Sequence, residues 1–165
     1  MSALALIRHL YWMQYQGEYP NRPEESEFCE VEHTGVKRMK TITLPELPNR
    51  KSPAGAEVRF LVDGETGGMI HSTVPPHQTN KATVHSTVSE FWYVLEGSGE
   101  IWRDNGSESG VTKLVEGTSI DIPVGTAFQY RNNSDADLKF ICITMPRWPG
   151  AAEATIIEGH WKPTV

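Results

Sequence analysis

The sequence predicts an all-β fold, an antiparallel sandwich or barrel. Three observations carry this. Short runs rich in Val, Ile, Phe, Tyr and Trp recur between Thr41 and Met145. Turn formers separate them, among them Asp63-Gly64, Gly67-Gly68, Glu96-Gly97, Gly125 and Asn132-Asn133. No stretch in this region asks for the long crossover helix that a parallel sheet needs.

Taken in order, residues 1–40 read as an N-terminal arm, with the charged, Pro- and Gly-rich GEYPNRPEESEFCEVEHTGVKR at its centre. A short helix over Leu4 to Gln16 fits the recurrence of Leu6, His9, Leu10 and Met13. A second reading takes Met39 as a natural start. The barrel itself is placed at residues 41–149, with strands expected over Glu57 to Val62, Met69 to Val74, Glu90 to Leu95 and Glu100 to Arg103. Further strands are expected over Thr112 to Val115, Ser119 to Ile122, Ala127 to Arg131 and Leu138 to Met145. Asn105-Gly106, between Trp102 and Val111, is the signature of a hairpin turn. Residues 150–165 form an irregular C-terminal tail, expected with Trp148, Ile156, Ile157 and Trp161 to lie across the outside of the barrel.

Composition narrows the function. With 165 residues, a net charge of −6, 38% hydrophobic and 22% charged side chains, the chain has the balance of one soluble domain. No Lys/Arg stripe suits a phosphate backbone, so nucleic acid is not an expected partner. The apolar stretch Ala3 to Ile7 ends at Arg8 and His9, too short to span a membrane and a poor leader. Cys29 and Cys142 have no metal-type spacing and read as reduced, buried thiols of a cytoplasmic protein.

Two stretches carry chemistry. HSTVSEFWYVLEGSG holds His85, Glu90 and Gly97, and EGTSIDIPVGTAFQYRN holds Gly117, Pro123, Gly125 and Asn132. Their spacing resembles the two motifs of the cupin superfamily, and the tail Thr144-Met145-Pro146-Arg147-Trp148-Pro149-Gly150 resembles that of its small single-domain members. The resemblance implies a cupin jelly-roll β-barrel open at one end to a pocket, and a homodimer formed by strand exchange or sheet packing. It also implies three histidines and a glutamate around a divalent Fe, Mn, Ni or Zn ion. Here the first histidine position carries Thr83 and that of the second motif carries Phe128. Threonine is a poor ligand for such ions and phenylalanine none.

Strand geometry sets which side chains meet. Thr83 and His85 share a face, while His85 and Glu90 both point inward only if the chain bends near Thr87. Glu90, Trp92 and Val94 then face in, and Phe128 shares a face with Tyr130. His71 is the candidate for a further metal ligand beside His85 and Glu90, although Ile70 and Val74 on the opposite face have an equal claim to the core. His77, in the loop PPHQTNK, is the other candidate; His9, His33 and His160 read as surface. Trp92, Phe128, Tyr130 and Thr83 form the expected ligand-binding wall, joined by Phe60, Trp102 and Phe140 if these are not simply core. Arg103 and Arg131 are charge candidates for an acidic ligand.

Three readings follow. The first is a small-molecule enzyme of isomerase, cyclase or oxygenase type, with His85 and Glu90 as catalytic acid/base groups or partial metal ligands. The second is a binding or sensing module using the same cavity without turnover. The third is a structural barrel with a filled interior. A metal-free site is expected over a metal-bound one. His85 and Glu90 are also explained if they merely hydrogen-bond each other inside an apolar barrel.

Overall fold

The computed structural model describes residues 39–165. The expectations for the arm, the Leu4 to Gln16 helix, His9, His33 and Cys29 fall outside the described residues. Lys40–Val165 form one compact unit.

Its strands are β1 Arg50–Lys51, β2 Glu57–Asp63, β3 Gly68–Val74, β4 Ala82–His85, β5 Ser89–Glu96 and β6 Ser98–Asp104. They continue as β7 Ser109–Val115, β8 Ser119–Ile122, β9 Ala127–Arg131, β10 Leu138–Met145 and β11 Ala154–Ile157. One sheet has the order β1-β2-β3-β10-β5-β8 and the other β11-β4-β9-β6-β7. Every pairing is antiparallel.

The strands expected from the β-branched and aromatic runs and the turns between them are all present, within a few residues at their ends. Strand β4, Ala-Thr-Val-His, was not among the expected strands: it holds a single Val and no Phe, Tyr or Trp, and with three of its four residues buried no polar face alternates with an apolar one. Strand β11 was expected to be irregular tail. It pairs with β4, Ala154 opposite His85 and Ile157 opposite Ala82, and extends the second sheet by one edge strand.

Inward faces follow from register, because residues paired across a ladder point to the same side. In the first sheet Cys142 pairs with both Ile70 and Trp92, and Thr144 pairs with Glu90. In the second, Thr83 pairs with Phe128 and Ile101 with Tyr130. The core between the sheets contains Val74, Trp92, Val94, Ile101, Leu114, Ile122, Phe128, Tyr130, Leu138, Phe140 and Cys142. The outward side chains of β5 are exposed, Phe91, Tyr93 and Leu95 among them.

Two motif residues are explained by the backbone. Gly97 has φ +81°, and a Cβ there would lie 2.0 Å from the carbonyl oxygen of Asp137, so the β5–β6 turn admits only glycine. Asn132 is buried and donates to the carbonyls of Val74 (2.9 Å) and Ala136 (2.7 Å), tying the end of β3 to the β9–β10 loop.

The tail beyond β11 covers the outside of the second sheet, as expected for Trp161. Gln129 faces away from the core, donates to the carbonyls of Asn80 and Trp161 and accepts from the Trp161 amide. A Cβ on Gly159 would sit 2.5 Å from Gln129 Oε1, so the tail backbone lies flush on the sheet. Trp148 does not join this outer layer. Its ring lies 5.0 Å from that of His85.

Candidate functional site

The site is built at one end of the barrel by β4, β5, β9 and the segment after β10. After His85 the chain bends through Ser86–Val88 before β5 begins, the break near Thr87 that the spacing requires. His85 and Glu90 are therefore both buried on the inside. Pro123 to Thr126 turn beside them, with the Gly125 amide donating to the His85 carbonyl at 3.0 Å.

His85 and Glu90 do not form the hydrogen-bonded pair that would explain them as mutual partners. His85 Nδ1 and Glu90 Oε1 are 3.7 Å apart, beyond hydrogen-bond length. Glu90 Oε2 instead accepts from Trp92 Nε1 at 2.7 Å, since residues two apart on a strand share a face. Burial pushes the Glu90 carboxyl up to about 7, against the opposing pull of hydrogen bonds from Trp92 and Cys142. Burial likewise drives His85 down to about 4, with Glu153 pulling the other way. Both groups are thus neutral near pH 6, Glu90 holding a proton and His85 lacking one.

Aromatic rings close around the pair. His85 meets Phe128 and Trp148 edge-on, at centroid distances of 5.1 and 5.0 Å. Trp92 stacks on Phe140 at 4.1 Å and meets Tyr130 edge-on at 4.9 Å. Tyr130 is fully enclosed, its hydroxyl raised by burial and hydrogen-bonded with Ser52 and Asn80. Cys142, buried beside Glu90, has its thiol pushed well up by burial and by the neighbouring carboxyl. Against this packing, three polar atoms around the pair have no hydrogen-bond partner: His85 Nδ1, Thr83 Oγ1 and Trp148 Nε1.

The other candidates lie elsewhere. His71 pairs with Arg59 and Ile141 on the outward face, because Ile70 and Val74 on the other face pack with the core. It does not reach His85 or Glu90 as a third ligand; burial first and then Arg59 hold its pKa down. His77 is exposed at the opposite end, where its Nε2 lies 2.9 Å from Asp135. Trp102 is also outside, pairing with Gln129 and stacking on His160. Phe60 is half-buried at the sheet edge under Arg50. Arg131 binds Glu100 at 2.7 Å and lies over Trp161, and Arg103 donates to the Asp121 carbonyl at 2.7 Å. A groove of about 460 Å³ between Lys81, Gln129 and the tail lies on the outer face and holds none of the motif residues.

Two contributors were not read from the sequence. Trp148 stands in the Pro-Arg-Trp-Pro-Gly tail, which signals a fixed turn but not its direction. Glu153 looks like any acidic tail residue, yet it is buried, and its carboxylate accepts from the Thr87 and Val88 amides and the Thr87 hydroxyl.

A family model described as Cupin domain matches residues 70–144. The barrel is a cupin domain. Solved structures with the same fold include an uncharacterized conserved protein with a double-stranded β-helix domain from Klebsiella pneumoniae subsp. pneumoniae MGH 78578. It is 21% identical with TM-score 0.54, over 67% of this chain and 90% of that one. The capsular polysaccharide assembling protein CapF from Staphylococcus aureus is 22% identical with TM-score 0.56, over 71% of this chain and 33% of its own. Oxalate decarboxylase from Bacillus subtilis, a protein with Mn(II) centres, is 16% identical with TM-score 0.56, over 68% of this chain and 30% of its own. The chain therefore spans about a third of each of these last two, and at such identities the likeness shows the fold alone. No curated protein matches the sequence.

The donor set of this cupin does not fit the family's metal. Thr83 and Phe128, side by side in the ladder, occupy the two altered positions. Among the described residues no three His, Cys, Asp or Glu side chains are grouped to hold an ion. A neutral carboxylic acid and one imidazole are too few donors for a catalytic site of this kind. No helix of the described residues is long and apolar enough to cross a membrane.

Proposed function

We propose that this cupin binds a small, uncharged, flat molecule at the His85–Glu90 end of the barrel through hydrogen bonds rather than through a metal. The observation that carries the reading is the set of unpartnered polar atoms in an otherwise apolar, ring-lined end: His85 Nδ1, Thr83 Oγ1 and Trp148 Nε1. A buried polar atom left unpaired costs about 1–3 kcal/mol, so an occupant that pairs with several of them gains that much at each. Trp148 Nε1 and Thr83 Oγ1 can donate to a carbonyl oxygen, and His85 Nδ1 accepts or donates according to its tautomer. Near pH 6 neither Glu90 nor His85 presents a charge, which favours a neutral ligand over an acid or an amine there.

The catalytic version of this reading is an isomerase- or cyclase-type proton transfer next to a carbonyl. It is favoured by one feature, a neutral acid and a neutral base 3.7 Å apart whose environments move their pKa values in opposite directions. Glu90 would give a proton and His85 would take one. A mono-functional binder would hold the same molecule unchanged.

The test begins with elemental analysis of protein purified without a chelating tag, followed by a thermal-shift screen of small aromatic and α,β-unsaturated carbonyl compounds. Metal far below one equivalent is expected, with hits lost in His85→Ala and Glu90→Leu while circular dichroism stays native. A ligand at a hundred times its Kd stabilises by about 2.7 kcal/mol, well within detection. Near one equivalent of a transition metal, lost in His85→Ala, would overturn the proposal. Hits that persist in both variants would move the site elsewhere, and turnover of a hit would select the enzymatic version.

A further inference from the structure

The segment that leaves β10 is packed in a way the fold alone does not require. It runs Pro146-Arg147-Trp148-Pro149-Gly150, then a single 3-10 turn at Ala151–Glu153, then β11. At its start Trp148 puts its ring against His85 at 5.0 Å, with the indole N–H buried and unpartnered. At its end Glu153 is buried, although an acidic side chain on a short connection would ordinarily be solvated.

The partners of Glu153 are specific. Oε1 accepts from the amides of Thr87 (2.6 Å) and Val88 (2.8 Å), and Oε2 accepts from the Thr87 hydroxyl (2.8 Å). The Ser86 amide donates to the Glu153 carbonyl at 3.3 Å, and the next residue, Ala154, pairs with His85 in the ladder. Residues 86–88 are the bend without which His85 and Glu90 would fall on opposite faces. One carboxylate from the far end of the chain therefore fixes the only break between the two site residues. The same short segment lays Trp148 over one of them.

We propose that residues 146–153 form a strap across the site, with Trp148 as its cover and Glu153 as a positioning residue that latches the strap to the 86–88 bend. The inference rests on the reading of His85 and Glu90 as the ligand site. The strap sets what can be admitted: a molecule reaches His85 by displacing the Trp148 ring or sliding beneath it, which selects flat ligands able to stack. Hydrogen bonds to an ionised carboxylate are roughly twice as strong as neutral ones, so the latch holds in the resting protein. Because the strap is short, releasing one end frees the other.

The experiment measures exposure of His85 with no ligand present, using diethyl pyrocarbonate and peptide mass spectrometry on the full chain at pH 7. His77, exposed at the opposite end, is the reference for free reaction, and His71, buried on the outward face, reports any general loosening. In the wild type His85 should react about tenfold or more slowly than His77, as expected for a site reached only by local opening. Glu153→Gln and Trp148→Ala should each raise the His85 rate about tenfold with His71 unchanged, and Glu153→Asp should restore part of the protection. Three results would overturn the proposal. They are a wild-type His85 as reactive as His77, a Glu153→Gln protein with unaltered His85 protection, and a rise at His85 matched at His71. Since no ligand enters the measurement, its failure leaves the binding reading standing, and an empty ligand screen leaves the strap standing.

Discussion

Replacing Glu90 with glutamine should make the protein more stable above neutrality and leave it nearly unchanged in acid. The buried carboxyl titrates near 7, whereas an ordinary glutamate titrates at 4.5. Between those values the folded state keeps a proton that the unfolded chain has released, so stability falls as pH rises through this window and the loss is complete above about pH 7. At about 1.4 kcal/mol per tenfold, the separation corresponds to about 3 kcal/mol. Glutamine reproduces the protonated acid: its oxygen can accept from Trp92 Nε1 as Glu90 Oε2 does at 2.7 Å, and it never ionises. The wild-type curve alone hides the effect. His85, lowered to about 4 from 6.5, is neutral when folded and charged when unfolded between those values, so its contribution is lost as pH falls through the same range. The two slopes oppose each other from about pH 4.5 to 6.5 and cancel there. The difference between variant and wild type isolates Glu90. Urea unfolding followed by circular dichroism at pH 4.5, 5.5, 6.5, 7.5 and 8.5 should show the variant gaining on the wild type by roughly 3 kcal/mol across the series. Parallel curves would refute the argument, because they would mean that Glu90 ionises in the folded barrel as freely as in water.

Restoring the altered motif positions should restore a metal: the Thr83→His/Phe128→His double variant places two imidazoles on inward, register-paired positions beside His85 and Glu90. Elemental analysis should then find close to one equivalent of zinc or iron where the wild type holds little. Asn132→Ala removes both donations to Val74 and Ala136 and should cost about 2–3 kcal/mol in urea unfolding, with no change in the His85 labelling rate. Burial raises the Glu153 carboxyl, but hydrogen bonds from Thr87 and Val88 outweigh it and hold the group below its ordinary value. Its contribution is therefore present above about pH 4.5 and lost as pH falls further, so the stability gap between wild type and Glu153→Gln should narrow on acidification.

The fold was legible because its signals are local. Alternation in Ser89–Glu96 separates Glu90, Trp92 and Val94 from Phe91, Tyr93 and Leu95 without any knowledge of the rest of the chain. The Gly97 turn and the Asn105-Gly106 hairpin are equally local. What was not legible depends on coverage. Strand β4 shows no alternation because β11 and β9 flank it and the tail lies over its outer face. Gln129 is buried opposite Phe128 for the same reason. His71 was ambiguous because Met69–Val74 offers apolar residues on both faces, and only the pairing of Ile70 with Cys142 decides which one is inside.

The site was legible to the same extent and no further. The motif spacing locates His85 and Glu90, and the requirement for a bend near Thr87 can be deduced from their odd separation in sequence, which would put them on opposite faces of a straight strand. What holds that bend is a glutamate 66 residues later in the chain, and no local pattern marks it. A one-residue mismatch of this kind would ordinarily be absorbed by a bulge. Here it is absorbed by an external carboxylate, which makes the geometry of the site a property of the tail as well as of the barrel. In a metal cupin the ion itself holds histidines and glutamate in register. With Thr83 and Phe128 in place of two ligands, that constraint is gone, and a buried acid and imidazole that do not hydrogen-bond each other need another fixture. Glu153, with three hydrogen bonds to the bend, supplies one.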